Sequence, residues 1–357
     1  MLVRLLRTHL RPYRRLLLVL VGLQGVQAIA SLYLPYLNAD VIDKGVMRGD
    51  TGYIWHTGGL MLAVTVVQLT FAVLAVYLAS KMAMGFGRDV RDALFHRVTG
   101  FSAREVNRFG APSLITRITN DVQQVQMLVM MFATFALAAP VTVVGGTVMA
   151  LRQDSGLVWL LAVSMPVLVL SLTAVVSRMI PQFRVMQERI DGINRVLREQ
   201  ITGIRVVRAF VREGEETQRF SGANADLTAT SLSAGRLMAF MFPIVTLIIN
   251  GSSVAVIWFG GNRIASGELT IGSLIAFLSY FVLILMSVMM ATFVASMAPR
   301  AAVCADRIAE VLNTDSSVWA PVSPVQGLTT LGSVEFSHVT FRYPGAEAPV
   351  LSGRRWW

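Results

Sequence analysis

Residues 186–211 read MQERIDGINRVLREQITGIRVVRAFV, and their reading decides the fold. Met186, Ile190, Ile193, Leu197, Ile201, Ile204, Val207 and Val211 recur at steps of three and four, the spacing of one stripe on a helix. Arg184, Arg189, Arg195, Arg198, Arg205, Arg208 and Arg212 fall mostly on the remaining surface. A helix this basic is costly in hydrocarbon, and its apolar stripe is too continuous to face water alone. It has to pack against another segment outside a membrane. The polar stretch that holds it, 181–236, lies between two strongly apolar blocks.

Composition places those blocks in a bilayer. Of 357 residues, 54% are hydrophobic and only 15% charged, where a soluble domain carries roughly a quarter. Six apolar blocks are long enough to cross, at about 20 residues or more each. They are 16–37, 54–79, 128–150, 157–177, 237–261 and 271–298. The fold class expected is an all-α membrane protein with six transmembrane helices. Arg4, Arg7, Arg11, Arg14 and Arg15 before the first block, with Ala28-Ile29-Ala30 inside it, resemble a cleavable signal. The apolar run continues through Leu37, however, and reads as a retained first span. The single cysteine, Cys304, excludes an intrachain disulfide and a multi-cysteine metal site and reads as a small buried hydrophobe.

The connections alternate in length. Residues 38–53, 151–156 and 262–270 are short, whereas 81–127 and 181–236 are long. Of 31 Lys and Arg, 27 lie in the N-terminal segment, around the long loops and in the tail, leaving Lys44, Arg48, Arg152 and Arg263 in the short loops. By the positive-inside rule both termini and both long loops are cytoplasmic, in the cell (plasma or inner) membrane. The net charge of +10 is then what orientation and anionic headgroups produce, so the expected partner is the lipid bilayer and no nucleic acid. The long loops continue as helices. The first carries Val90, Leu94, Val98 and Phe101 at helical spacing, breaks at Gly110-Ala111-Pro112, and resumes with Leu114, Ile118, Val122 and Val125. Two arms of about 23 residues would protrude on the order of 35 Å, and the arms of about 28 residues in the second roughly 40 Å.

Between their ends the spans contain no Asp, Glu, Lys or Arg, and Asn250 is their most polar interior residue, read as bonding across helices in preference to lining the translocation path. A carrier driven by ions or protons needs ionisable groups at membrane depth. Transport would therefore draw its energy from outside the bilayer through the stalks, and an ion-coupled carrier or channel is the weaker reading. Met127, Met130, Met131, Met238, Met241, Met286, Met289 and Met290 suit either an adaptable apolar path or ordinary span packing. The stalk arginines read as solvated or paired between helices, and Asn120-Asp121 as capping or pairing within the first stalk.

After Arg300 an amphipathic helix continues to Leu312. Residues 313–331, with Pro321, Pro324 and Gly327, read as a linker. Val334-Glu335-Phe336 and Val339-Thr340-Phe341-Arg342-Tyr343 alternate at period two, which predicts two short strands with a bulge or turn at Ser337-His338. The ending, Ser352-Gly353-Arg354-Arg355-Trp356-Trp357, matches neither a strand nor a helix terminus and reads as a read-through or frameshift tail.

On these residues the chain resembles the six-helix transmembrane half of an ATP-binding cassette exporter. Four stretches in that family's order carry the likeness. Phe109-Gly110-Ala111-Pro112-Ser113-Leu114-Ile115-Thr116-Arg117-Ile118-Thr119-Asn120-Asp121-Val122 is similar to its first intracellular loop. Glu199 to Phe220, with Gly203-Ile204-Arg205-Val206-Val207-Arg208-Ala209-Phe210, is similar to its second. Gly267-Glu268-Leu269-Thr270-Ile271-Gly272-Ser273-Leu274 is similar to the turn into its last span, and Val334 to Tyr343 to the first strands of its nucleotide-binding domain.

The resemblance implies a transmembrane domain over 1–312, a linker over 313–331, and the truncated start of a nucleotide-binding domain over 332–357. It implies export of a hydrophobic substrate by alternating access, by a homo- or heterodimer driven by nucleotide-binding domains that use ATP and Mg²⁺. Arg108, Phe109, Gly110, Ala111, Pro112 and Ser113 would couple one stalk to such a domain. Gly203, Ile204, Arg205, Val206, Val207, Arg208, Ala209 and Phe210 would couple the other. Tyr343 matches the aromatic residue that stacks on adenine, and a ring face beside a basic strand suits a purine.

The chain departs from the family in one respect. Phosphate binding needs G-x-x-x-x-G-K-[ST], yet the two lysines, Lys44 and Lys81, follow no Gly-rich turn. No carboxylate ends a four-residue apolar strand to hold Mg²⁺, and no Leu-Ser-Gly-Gly signature occurs. The ATP site is missing from these residues, so this chain alone is expected not to hydrolyse ATP, and Tyr343 reverts to an ordinary strand aromatic. No catalytic or metal-binding residue is assigned. The alternative reading is a membrane-inserted remnant that sequesters a partner half.

Overall fold

The computed structural model describes residues 1–318, 323, 332, 336–343 and 346–356. The expectations at Pro321, Pro324, Gly327, Val334 and Glu335 lie outside the described residues. In chain order the helices are α1 (Leu2–Val46), α2 (Thr51–Thr99), α3 (Ala103–Phe109), α4 (Ala111–Gln153), α5 (Ser155–Ala209), α6 (Glu213–Ala265) and α7 (Ile271–Leu312). All except α3 are long and apolar enough to cross a membrane, and together they hold the six expected spans. The protein is a multi-pass membrane protein. Proline stands inside several of the long helices, at Pro35, Pro166, Pro181, Pro243 and Pro299.

The chain divides into two units, Met1–Thr99 with Phe109–Thr314, and Gly100–Arg108 with Asp315–Trp357. In the first unit, tight connections join α1 to α2, α4 to α5 and α6 to α7. Six antiparallel crossings therefore put the long helical extensions on one side, the stalk side. Helix α7 is the centre of the bundle. Its Phe277, Tyr280, Phe281 and Ile284 are fully buried and pack with Leu32, Ala150, Leu161, Leu168, Val245 and Val256 from the other spans. Apolar side chains gain little by leaving lipid, so close approach and hydrogen bonds hold such helices together. Gly260 lets α6 approach α7 closely: a Cβ there would press on the Leu274 side chain, which would have to shift. Tyr280 Oη donates to the Leu32 carbonyl at 3.0 Å, and Ser164 and Ser252 hydroxyls bond at 3.0 Å.

The short-loop side is latched by charge. Asp154, with a side chain only 3% exposed, accepts from Arg263 Nε at 2.7 Å, and Arg263 also pairs with Glu268 at 2.9 Å. Asp43 accepts from Thr270 Oγ1 at 2.6 Å and from the Gly272 N–H at 2.8 Å, closing the start of α7.

On the stalk side two structures emerge. One is built from three helices. Phe86, Val90 and Leu94 of α2, Val122 and Val125 of α4, and Ala305, Ile308 and Val311 of α7 are all fully buried. Leu5 of α1 is buried too, and Tyr13 Oη donates to Asp89 at 2.7 Å. The other is a hairpin of α5 and α6 joined at Phe210–Arg212. On α5 the covered row is Met186, Ile190, Ile193, Val196 and Val207, and on α6 it is Phe220, Ala223, Leu227 and Ala234. The expected stripe is thus corrected in its middle. Val196 turns inward, while Leu197, Ile201, Ile204 and Val211 are exposed. Near the tip, Gln200 takes the facing position by donating to the Glu216 carbonyl at 3.0 Å, which rotates the row by about 100° per residue away from Ile201.

The second unit holds α3 and a small sheet. The expected first-stalk hairpin of two arms is interrupted, because α2 ends at Thr99 and α3 is a separate short helix. Ser102 and Glu105 explain why: they form a capping box, with the Ser102 N–H and hydroxyl both donating to Glu105 Oε2, at 3.0 and 2.6 Å. Strand β1 (Phe336–Phe341) pairs antiparallel with β2 (Leu351–Trp356), with Phe336 opposite Trp356 and Phe341 opposite Leu351. The ladder shifts register around Val339, and His338 has φ 52°, so the bulge at Ser337-His338 is present. Two expectations fail here. Tyr343 lies past the end of β1, and the described part of the tail, Ser352 to Trp356, is itself strand. Backbone pairing with β1 orders a segment whose own side-chain pattern is too short to announce it.

Candidate functional site: the stalk tips

At the first tip, Gly110 adopts φ 76°, the left-handed region that favours glycine. It ends α3 and lets Ala111-Pro112 open α4, where proline's missing N–H costs nothing. Arg117 lies over the Phe109 ring at 4.9 Å, donates to the Arg307 carbonyl at 2.9 Å, and reaches Glu310 Oε2 at 2.8 Å. Asp121, buried with 2% of its side chain exposed, faces Arg307 Nε at 3.4 Å. Arg97 Nε donates to the Leu312 carbonyl at 3.0 Å. The last turns of α7 are thus gripped by guanidinium groups from α2 and α4. Asp121 thus pairs within the first stalk, as expected of Asn120-Asp121, with its partner supplied by α7. Burial and the neighbouring Asp121 push the Cys304 thiol up, consistent with its reading as a small hydrophobe. Of the first coupling stretch, Phe109 to Ser113 belong to the first unit and Arg108 to the second.

In that second unit Glu105 is held low, to about 2, first by the hydrogen bond from Ser102, against desolvation, with further help from Ser317.

At the second tip, Gly203 to Ala209 form the last two turns of α5 rather than a helix of their own. Phe210 closes the helix, Val211 adopts φ 51°, and α6 opens at Glu213. Val206, Phe210 and Val211 are 61, 72 and 81% exposed. Arg205, Arg208 and Arg212 are exposed around them, Arg212 paired to Glu215. The two arms are tied below by Arg219–Glu199 at 2.6 Å and Arg189–Asp226 at 3.2 Å. The result is an apolar knob with a basic rim.

Tyr343 is exposed, and its ring meets Phe341 edge-on at 5.0 Å. Lys44 Nζ is engaged by Asp40 at 2.9 Å, and Lys81 lies within helix α2. Both lysines belong to the first unit, so the second unit, which holds Tyr343, contains no lysine to reach a phosphate.

Within the spans Asn250 is exposed on α6. Besides the bonds of Tyr280 and of Ser164 with Ser252, polar contact across the spans comes from Gln24, 3% exposed, whose Nε2 donates to the Thr134 carbonyl at 3.2 Å beside the π turn Phe132–Ala136. That π turn frees carbonyls for such a donor. Of the methionines, Met286 lines an open apolar groove on α7 with Ile275, Leu278, Val282 and Leu283, about 610 Å³ in volume.

Residues 17–288 match the model of the ABC transporter transmembrane region. The chain belongs to this family. An uncharacterized ABC transporter ATP-binding protein of Mycobacterium tuberculosis is 53% identical over 354 residues, 98% of this chain and 60% of that protein. A multidrug efflux ATP-binding/permease protein of Mycobacterium bovis is 27% identical over 98% of this chain and 29% of its own length. An ATP-dependent lipid A-core flippase of Dechloromonas aromatica is 24% identical over 97% of this chain and 59% of its own length. This ABC membrane domain spans about 60% of the length of the first of these relatives.

Proposed function

We propose that this ABC membrane domain is one half of an ATP-driven exporter that moves a hydrophobic substrate by alternating access. It lies in the cell membrane with both termini and both stalks in the cytoplasm, the side favoured by 27 of its 31 Lys and Arg. It works as a homo- or heterodimer, and nucleotide-binding domains carry ATP and Mg²⁺ and drive it through the tips. The observation that carries the reading is the second tip. Three large apolar side chains at 61 to 81% exposure, rimmed by arginines and standing outside the membrane, are a surface made to be covered. Arg108 to Ser113 play the same role at the first tip, where movement would pass through Arg117 into α7. The hydrophobic substrate is supported by spans free of charge, by the groove at Met286, and by relatives named for multidrug efflux and lipid A-core flipping.

Transport in membrane vesicles tests the proposal, with the chain co-expressed with a nucleotide-binding subunit. Efflux of a hydrophobic dye should require both ATP and the chain. Phe210→Ser should abolish dye efflux while leaving the amount of folded chain unchanged. Full efflux by Phe210→Ser, or efflux that follows an ion gradient without ATP, would overturn it.

A further inference from the structure

We infer that the N-terminal turn of this membrane domain binds one anionic phospholipid, with its phosphate on an arginine recess and an acyl chain in an apolar cavity. The first helical turns of α1, Leu2–Leu10, end in a 3₁₀ turn at Arg11–Tyr13, after which the helix enters the bundle. Leu6 and Leu10 are half-buried, whereas Arg4, Arg7, Arg11, Arg14 and Arg15 are exposed. That division is the mark of a helix lying at a membrane surface.

Two concavities flank the turn. One, of about 330 Å³, is lined only by apolar side chains, among them Leu6, Leu10 and Leu17 of α1, Phe132 and Ala133 of α4, and Ala295 of α7. The alanines on facing helices leave room that larger side chains would fill. At about 30 Å³ per water-sized group the cavity accommodates roughly ten such groups, the bulk of an alkyl segment. The other, of about 470 Å³, is open and lined by Thr8, Arg11, Pro12, Arg14 and Arg15. Among the described residues these three arginines have no carboxylate partner. Guanidinium groups fork onto phosphate oxygens, and juxtamembrane basic clusters hold anionic lipid. A free phosphate would satisfy only the recess and a neutral lipid only the cavity. An amphiphile with a negative head satisfies both.

Native mass spectrometry of the full chain tests this, with dioleoyl phosphatidylglycerol and dioleoyl phosphatidylcholine offered at equal concentration. Phosphatidylglycerol should be retained about tenfold over phosphatidylcholine. Replacing the three arginines by glutamine (R11Q, R14Q, R15Q) should erase the preference. Ala133→Leu with Ala295→Leu should lower phosphatidylglycerol retention severalfold at unchanged charge. On the unmodified chain, dihexanoyl phosphatidylglycerol, too short to fill the cavity, should be retained more weakly than the dioleoyl form, a comparison that stands even if the filled variant misfolds. Equal retention of the two headgroups, equal retention of short and long chains, or displacement by millimolar inorganic phosphate would overturn the site.

Discussion

The two stalks are built from the same kinds of residue and are held in opposite ways. The first is a three-helix structure with fully buried Phe86, Val90 and Ile308 and a buried carboxylate at Asp121. The second is a bare hairpin. From the end of the α5 core at Leu172 to the start of the α6 core at Val245, only Val196 and Ala234 are buried. Two helices can cover only one face of each other, so the apolar surface along Leu197, Ile201 and Ile204 stays open. The first stalk therefore derives its stability from within the chain, and the second leaves its surface for something else to cover.

Substitutions can break or sharpen this contrast. The largest effect is expected at Phe86, where Phe86→Ala removes a fully buried ring and should cost about 3–5 kcal/mol in detergent-solubilised unfolding. Phe210→Ala, at a side chain 72% exposed, should stay within about 0.5 kcal/mol. Equal losses at both positions would show that the second tip is also internally packed. Next comes charge. Arg307→Ala removes the cation paired with the buried Asp121 and should cost on the order of 3 kcal/mol. Arg189→Ala breaks a pair exposed on both sides and should cost less than about 1 kcal/mol. Thermal melts of the two variants, side by side, decide this.

A smaller effect of opposite sign is expected at Val211. Its left-handed backbone is uncomfortable for a β-branched residue. Val211→Gly should raise stability by about 1 kcal/mol or less.

The smallest and most local effect concerns pH. The Glu105 carboxylate sits at about 2 rather than 4.5. A depressed carboxyl stabilises its cap at pH values above the ordinary one, and that stabilisation fades as pH falls from about 4.5 towards 2. Amide hydrogen exchange should show protection at the start of α3 declining across that window, whereas the start of α6, which has no side-chain cap, should show no such step.

Much of this architecture is written in the sequence because it depends on local period and length. Six apolar blocks of span length, and stalk helices marked by stripes at three and four, need no long-range information. The break before α3 was also legible, since Ser102-x-x-Glu105 is a capping box in plain view, although the helical spacing through Phe101 hides it. What could not be read is pairing at a distance. Arg117 meets the Arg307 carbonyl across 190 positions, and nothing near either residue predicts the contact. The inward turn of Val196 in place of Leu197 rests on the polar bond between Gln200 and Glu216, which outweighs hydrophobicity near the tip. Gln24 was overlooked for a related reason: its partners are backbone carbonyls exposed by a π turn, a feature without a residue signature.

The bare turn at Phe210–Arg212 has a practical consequence. With Arg205, Arg208 and Arg212 exposed around it, this is where a trypsin-like protease should nick the folded chain first. The cut divides the polypeptide into a piece with four spans and a piece with two, yet both contribute to the packing around α7 and should stay together. The same protein should therefore assemble from two separately expressed fragments joined at that point, intact as a bundle but lacking the covalent bridge between its two longest helices.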